Sequence, residues 1–481
     1  MNNNRISILV LLTMGCLLAV SITASAQTDL TYPIVDTDQT WCFSDEEAIE
    51  CGEIFVGQDA QYAGLQPAYQ DNGDGTITDL NTGLMWIQDQ GDKTTYTDAI
   101  ELLEAYSFAG YDDWRLPTVK ELLSLALYSG SSTDDGVVPF FDTDYFVYRD
   151  GIESGGNRVV DTQWLTSNIY TSTVYGDSSC FFGFNFSDGR IKCYGLEGFN
   201  PSGGYFAQFV RGSDNYGENN FVDNGDSTIT DEATGLTWMQ NDNGAGLLWD
   251  DALSYCETLS LGGSDDWRLP NVKELHSIVD YSRSPDATNS PAIDPIFNTT
   301  EIVNEGGQAD YPFFWSSTTL IGFTFPDDVL SANYVAFGRA LGYDEEQGGW
   351  VDVHGAGALR SDPIIGDPDD YPTGNGPQLD NIRVYNYVRC VSGGVADPSI
   401  GDDPDTLELV SEEALIQSEP QDTQLEVQGE PDLAAAAEQL GVTEDALLEA
   451  MGEPGEGPDF ETAAEQLGVA VEALEEALGS L

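Results

Sequence analysis

The hexapeptide DDWRLP occurs twice in the chain, at residues 112–117 and 265–270. A second motif precedes it in each case: DNGDGTITD at 71–79 returns as DNGDSTITD at 223–231. Because both motifs recur in the same order and at nearly the same spacing, the chain contains two copies of one domain. Each copy is far longer than the repeat of a solenoid protein, so each can bury its own core, and we expect a tandem of globular domains.

The two ends of the chain differ from the repeated part. The apolar run 6–20 followed by Ala24-Ser25-Ala26 has the order of a secretory signal peptide, cleaved near Ala26. An uncleaved membrane anchor and lipidation at Cys16 are the alternatives. No later stretch is apolar enough to cross a bilayer, so we expect no transmembrane segment in the mature protein and a secreted, periplasmic or cell-surface location.

The rest of the chain divides by composition. After the second copy the sequence becomes acidic, proline-bearing and poor in aromatics, which is typical of a linker. The repeated string AEQLGV then predicts two short helical hairpins. The predicted segments are the signal peptide 1–26, a cysteine-bearing lead 27–66, the first copy 67–215, the second copy 216–394, the linker 395–431 and the hairpins 432–481.

Acidic residues dominate the composition: 84 Asp and Glu against 16 Lys and Arg give a formal net charge of -68. Such a field repels nucleic acid and anionic membranes, so neither is expected as a partner. The charge serves solubility or binds cations, and calcium is the cofactor that acidic loops would suit. Residues 71–79 lack the ligand spacing of an EF-hand and are interpreted as a hairpin turn. The candidate calcium ligands are Asp367, Asp369 and Asp370.

Six cysteines follow Cys16, an even number that suits disulfides in an oxidising compartment. When the copies are aligned on the tryptophan of DDWRLP, Cys256 falls opposite Leu103; aligned on the terminal Val-Arg, Cys390 falls opposite Gly212. The first copy lacks both cysteines, which predicts that they are bonded to each other. By elimination, the remaining predicted pairs are Cys180 with Cys193 and Cys42 with Cys51.

Each copy begins with a predicted β-hairpin, followed by an amphipathic helix over 96–106 or 249–259. After DDWRLP, Thr118 or Asn271 stands three positions before a glutamate, which predicts a capped helix start. Closing strands are expected at 206–211 and 384–391.

The alternation within DDWRLP predicts inward-facing Trp114 and Trp267. Arg115 and Arg268 then point elsewhere. Because two aspartates stand just before each arginine, a structural ion pair or a bond to a backbone carbonyl is favoured over ligand binding.

These motifs carry a resemblance to a known family. The strings DNGDGTITD, TGLMW, DWRLPTVKEL, WSST and YVRCV resemble the Lcl C-terminal domain of collagen-like surface proteins. The chain is also similar to the C-type-lectin-like and formylglycine-generating-enzyme fold group. The resemblance implies an α+β fold with two tandem C-type-lectin-like domains. It also implies surface adhesion and binding of sulfated polysaccharides, a ligand that this acidic chain does not suit.

Catalytic motifs are missing from the sequence. The two histidines, His276 and His354, occupy no shared repeat position, and the calcium-and-sugar tripeptides of C-type lectins are absent. We therefore expect no enzyme and no catalytic residue. A degenerate formylglycine-generating-type enzyme would need free thiols.

The expected function is non-catalytic binding of a glycan or cell-envelope component through the loops of the tandem domains. Aromatic side chains stack on sugar faces, and the candidate ligand-binding residues, expected to be exposed, are Tyr170, Tyr194, Tyr205 and Trp350. The alternative is an assembly protein that binds protein partners through its domains and its C-terminal hairpins.

Overall fold

The computed structural model describes residues 30–44, 48–49, 51–52, 55–133, 136–196, 203–321, 330–345, 348–394 and 397–398. The signal peptide, the hairpins of 432–481 and nearly all of the acidic linker lie outside these residues, so what was predicted for them stays a prediction. The described chain is a mixed α+β structure built from several antiparallel sheets.

The lead contains three short strands and one 3-10 turn: β1 (Cys42–Phe43), β2 (Ala48–Ile49), the turn Asp59–Gln61 and β3 (Tyr62–Ala63). The elements of the first copy are β4 (Tyr69–Asp71), β5 (Thr76–Asp79), β6 (Met85–Ile87), α1 (Tyr96–Leu103), α2 (Val119–Ser124), β7 (Ser131–Thr133), β8 (Gly136–Val138), β9 (Gln163–Trp164), β10 (Cys180–Asn185), β11 (Arg190–Gly195) and β12 (Val210–Arg211).

The second copy repeats this order and adds elements to it. It contains β13 (Phe221–Asp223), β14 (Thr228–Asp231), β15 (Leu236–Met239), α3 (Trp249–Glu257), α4 (Val272–Ser277), α5 (Pro285–Thr288), β16 (Ile302–Val303), β17 (Ala309–Asp310), β18 (Phe313–Leu320), β19 (Ser331–Ala336), β20 (Leu341–Asp344), β21 (Gly349–Asp352), β22 (Leu359–Pro363), the 3-10 turn Pro368–Asp370 and β23 (Val391–Gly393). A last strand, β24 (Asp397–Pro398), pairs with β3 of the lead.

The predicted hairpins and helix starts are confirmed. β4 pairs with β5 and β13 with β14, and each hairpin extends into a four-stranded antiparallel sheet, β12-β6-β5-β4 or β13-β14-β15-β23. At the start of α2, Thr118 Oγ1 accepts a hydrogen bond from the Glu121 backbone N–H at 3.1 Å, and Glu121 accepts one from the Thr118 N–H at 2.8 Å. Asn271 and Glu274 make the same reciprocal cap on α4.

Two predicted lengths are too long. The helices α1 and α3 end at Leu103 and Glu257, because the chain turns before the last apolar residues of the predicted ranges. Of the closing strands, only Val210–Arg211 and Val391–Gly393 are regular. Residues ahead of them form single bridges instead, Phe206 with Trp164 and Tyr387 with Phe314.

The two copies share part of their core. A six-stranded sheet runs through both in the order β18-β19-β22-β11-β10-β9, so that each copy contributes three strands and β11 pairs with β22 at Ile191 and Leu359. One hydrophobic cluster includes the buried Trp86 and Trp238, one tryptophan from each copy. Each copy also has a buried cluster of its own, which includes Trp114 in the first copy and Trp267 in the second. Each copy therefore buries a core as expected, and the central strands add a core that both copies share.

All three predicted disulfides are present: Cys42–Cys51, Cys180–Cys193 and Cys256–Cys390. The alignment behind the last pair needs a correction. Arg115 bridges to Val210 and Arg268 bridges to Val391, so the residue opposite Cys390 is Phe209 and not Gly212.

Phe209 and Leu103 belong to one hydrophobic cluster of the first copy. The first copy therefore has apolar packing at the two positions where the second copy has a disulfide.

The lead runs against both copies. The side-chain amide of Gln39 donates to Thr319 O at 2.9 Å and accepts from Thr319 N at 3.1 Å. It thus pairs with the backbone of β18 as a residue of a neighbouring strand would. Asp59 is buried and accepts hydrogen bonds from Thr37 at 2.8 Å and Thr318 at 2.5 Å. Burial raises the pKa of the Asp59 carboxyl to about 7.

Candidate functional site

The predicted ligand-binding tyrosines are less accessible than expected. Tyr170 and Tyr205 are only 4% and 6% exposed, so the expectation that they are exposed is wrong. The Tyr170 hydroxyl donates to Asp352 at 2.8 Å, and the Tyr205 hydroxyl donates to Gly195 O at 2.9 Å. Both rings can be buried because their hydroxyl groups form hydrogen bonds inside the fold.

Tyr194 and Trp350 are partly exposed, and they lie in different surroundings. Tyr194 lies next to Tyr205, with ring centroids 6.0 Å apart. Trp350 is on the β20–β21 hairpin, where its ring meets that of Tyr343 at 5.5 Å. Only the first pair brings two predicted residues together, and ligand binding by any of the four residues stays a prediction.

The acidic loop at Asp367, Asp369 and Asp370 is exposed. Asp367 accepts a hydrogen bond from the Asp369 N–H at 2.9 Å, which caps the short 3-10 turn. Within the described residues, no three His, Cys, Asp or Glu side chains are placed to hold a metal ion together. The three candidate calcium ligands therefore do not form a preformed site.

The arginines of the repeated motif make the ion pairs and carbonyl contacts that the sequence predicts. Arg115 pairs with Glu121 at 2.7 Å and Arg268 with Glu274 at 2.6 Å, and each guanidinium also reaches a carbonyl near the end of its copy. The glutamate of the helix cap, rather than the preceding aspartates, is thus the partner. The tryptophans of the motif, Trp114 and Trp267, are buried as expected.

The main candidate site lies where β11 of the first copy meets β22 of the second. Because side chains alternate along a strand, Arg190 and Lys192 share one face of the sheet with Arg360. Loops of the second copy add His354, Gln378 and Asp380 to this face. We call these six residues the seam cluster.

Hydrogen bonds join the seam cluster across the two copies. Lys192 Nζ donates to Gln378 Oε1 at 2.9 Å, and Arg190 donates to Ser361 Oγ at 3.1 Å. Asp380 accepts from Arg360 and lies 2.6 Å from His354 Nε2. The backbone also takes part, since Cys193 N donates to His354 O at 3.0 Å.

Burial and mutual charge pairing shift the pKa values of three residues of the seam cluster. Burial and the nearby Arg360 lower the pKa of Lys192 to about 8. Burial alone would raise the pKa of Asp380, but Arg360 and His354 outweigh it and hold that pKa below its ordinary range. Burial lowers the pKa of His354 to about 4, so the imidazole is neutral at pH 7.

Several polar atoms around the seam cluster have no hydrogen-bond partner within the described part of the chain. They are the Nε atoms of Arg190 and Arg360, Nδ1 of His354 and the Tyr194 hydroxyl. Buried polar atoms of this kind are normally satisfied by water, an ion or a ligand.

Tyr175 adds an accessible aromatic ring to the edge of the seam cluster. It is 45% exposed, and its hydroxyl accepts a hydrogen bond from Gln378 Nε2 at 3.1 Å. Sequence reasoning missed it, together with Gln378 and Asp380, because loops from both copies bring them together. The one available signal was the alternation of Arg190 and Lys192 on a strand in a chain that has few cations.

Comparison with known families agrees with the repeat. The sequence model of the Lcl C-terminal domain matches residues 75–211 and 227–350, more than half of the chain. The chain belongs to the Lcl C-terminal domain family. No curated protein and no solved structure matches it.

The two Lcl C-terminal domain matches cover the seam cluster only in part. Arg190 and Lys192 lie within the first match, whereas the second match ends at Trp350, before His354, Arg360 and Asp380. The second half of the cluster therefore comes from segments beyond the matched region.

The other histidine of the tandem Lcl C-terminal domains lies in the core. His276 is fully buried and its Nε2 is 2.7 Å from the Tyr281 hydroxyl. Burial lowers its pKa to about 3, which keeps the ring neutral.

Proposed function

We propose that this protein is a secreted or cell-surface binding protein without catalytic activity, which recognises a glycan or cell-envelope component at the seam cluster. The proposal rests on one observation: the exposed Tyr175 and the cations Arg190 and Lys192 of the first copy lie against Gln378 and Asp380 of the second. The two copies would then form one composite site rather than two identical ones.

The groups at the seam cluster suit a sugar. An aromatic face supports a sugar ring, while amide, carboxylate and ammonium groups exchange hydrogen bonds with its hydroxyls. The net charge of -68 disfavours a polyanion, which supports a neutral or weakly charged ligand.

The disulfides and the buried histidines support a binding role outside the cytoplasm and without catalysis. Three disulfides are typical of an extracytoplasmic protein. Among the described residues, no helix has the length and apolar character needed to span a membrane. Both histidines are buried, which supports a binding role over acid–base catalysis.

A glycan array of the intact protein tests the proposal. We expect binding that the Tyr175→Ala variant reduces at least tenfold. The Tyr385→Ala variant, which removes an equally exposed tyrosine beside Gly246, should bind like the wild type. Arrays with calcium and with EDTA should agree, since the described carboxylates form no metal group. Absence of binding under both conditions would count against the proposal.

A further inference from the structure

Three polar side chains meet where the first copy joins the second. Lys120 of α2 donates from Nζ to Asn219 Oδ1 at 2.9 Å, and Asn219 Nδ2 donates to Asp231 Oδ2 at 2.8 Å. An ammonium or amine hydrogen can only be donated to the amide oxygen, and a carboxylate can only accept from the amide nitrogen. The two neighbours therefore fix the orientation of the Asn219 amide, with its carbonyl side toward Lys120.

The surroundings hold this arrangement in place. Asp231 is fully buried and also accepts hydrogen bonds from the backbone of Asn220 at 2.8 Å and from the Thr234 hydroxyl at 3.0 Å. The buried ring of Tyr32 lies 5.6 Å from Lys120 Nζ. Lys120 is also held by Gly217 O at 3.0 Å. Amine, amide and carboxyl group are thus kept in hydrogen-bond contact within a partly buried site.

The state of the amine allows it to act as a nucleophile. Burial lowers the pKa of Lys120 to about 8. A substantial fraction of the side chain is therefore the neutral amine in mildly alkaline solution, and a desolvated neutral lysine is a competent nucleophile toward a carbonyl carbon.

We propose that Lys120 and Asn219 form an intramolecular isopeptide bond, with Asp231 as the proton carrier. Lys120 Nζ attacks Asn219 Cγ, and a new C–N bond forms as the carbonyl becomes tetrahedral. The attacking nitrogen gives up one proton to the Asp231 carboxylate, and the departing Nδ2 takes that proton from Asp231. Asp231 already accepts a hydrogen bond from Nδ2 and is therefore placed to deliver the proton to it. The Cγ–Nδ2 bond breaks, ammonia leaves, and the side chains are joined by an amide.

The repeat supplies an internal comparison. Leu80 N bonds to Ala68 O and Glu232 N bonds to Asn220 O, so the residue before Ala68, Pro67, occupies the position of Asn219. Among the described residues, the second copy of the lysine, Lys273, accordingly donates to backbone carbonyls alone, those of Asp36 at 2.8 Å and Ser124 at 3.2 Å.

The matching carboxylate at that position, Asp79, has an oxygen, Oδ2, without a hydrogen-bond partner among the described residues. An amine and a carboxylate are therefore present at both places, while the amide that would be attacked is present at one.

Mass spectrometry of the purified full chain, reduced and alkylated, tests the proposal. We expect a branched peptide that joins Lys120 to Asn219, with the loss of one ammonia, about 17 Da. Location of the link is essential, because cyclisation of an N-terminal Gln27 or a succinimide at Asn219 would also release ammonia. The Lys120→Arg variant should lack the branched peptide, and the matched Lys273→Arg variant should keep it.

Peptide analysis of the wild-type protein alone tests whether the isopeptide bond forms, even if a variant folds poorly. Recovery of Lys120 and Asn219 in separate, unmodified peptides from natively purified protein would overturn the proposal. A branched peptide at Asn219 that persists in Lys120→Arg would do the same, because the lysine amine is absent from that variant. A further variant, Asp231→Asn, should slow or abolish formation of the link.

Discussion

Arg115 and Arg268 form the same ion pair in two different environments. The Arg268 side chain is 7% exposed, whereas that of Arg115 is 30% exposed. Both pair with the glutamate that caps the following helix, so one interaction connects the closing segment, the motif and the helix start.

Replacement of these arginines by methionine should therefore have unequal effects. Arg268→Met leaves Glu274 buried without its partner, and we expect the free energy of unfolding to fall by about 3–5 kcal/mol. Arg115→Met also leaves a buried carboxylate, Glu121, but it should cost less, because water that reaches the more exposed position of Arg115 can solvate that carboxylate. Chemical denaturation followed by tryptophan fluorescence measures both losses. Equal losses would show that exposure does not set the cost.

Asp59 makes stability depend on pH with a defined sign. Its pKa is about 7 in the folded protein and about 4 in an unfolded chain, so between these values only the folded state holds the proton. The free energy of unfolding contributed by Asp59 is therefore full below pH 4 and is lost as the pH rises to 7.

Asp59→Asn removes this titration and can still accept hydrogen bonds from Thr37 and Thr318. Relative to the wild type, the variant should gain up to about 4 kcal/mol between pH 4 and pH 8. Comparison at each pH cancels the titration of the other buried groups. A difference that is constant with pH would contradict the assignment.

At the scale of the elements, two disulfides close loops of very different length. Cys256–Cys390 spans 134 residues and joins α3 to the end of the second copy, while Cys180–Cys193 spans 13 and joins β10 to β11. Loop-closure entropy in the unfolded chain grows with this separation.

Removal of each pair by alanine substitution should reflect the difference. We expect a loss of about 5 kcal/mol for the 256–390 pair and about 3 kcal/mol for the 180–193 pair. Thermal denaturation of the two variants at equal protein concentration shows which deletion lowers the stability more. A larger loss for the short loop would mean that strain or packing outweighs chain entropy.

Local elements were predictable from the sequence, and the contacts between copies were not. The caps at Thr118 and Asn271 and the hairpin turns depend on neighbours within a few residues, so their motifs suffice. The burial of Tyr170 and Tyr205 depends on partners elsewhere in the fold, Asp352 and Gly195. The seam cluster needed the pairing of β11 with β22, for which a repeat alone gives no signal.

At the scale of the whole molecule, the shared sheet makes the two copies one cooperative unit. We expect the two copies to unfold in a single calorimetric transition, with equal calorimetric and van't Hoff enthalpies. Leu359→Asp places a charge at the central strand pair and should reduce hydrogen-exchange protection in both copies. Val303→Asp, at a position that is 75% exposed, should leave the hydrogen-exchange protection of both copies unchanged. Two separate transitions would contradict a common core.

The pairing of Ile191 with Leu359 also has a consequence for synthesis. Most of the second copy lies between these residues, so at about 5–20 residues per second β22 is made roughly 10 to 30 seconds after β11. During that interval β11 has an open edge of unpaired backbone groups, which invites pairing with another chain. The nascent protein is therefore most prone to aggregate when its first copy is complete and its second is not.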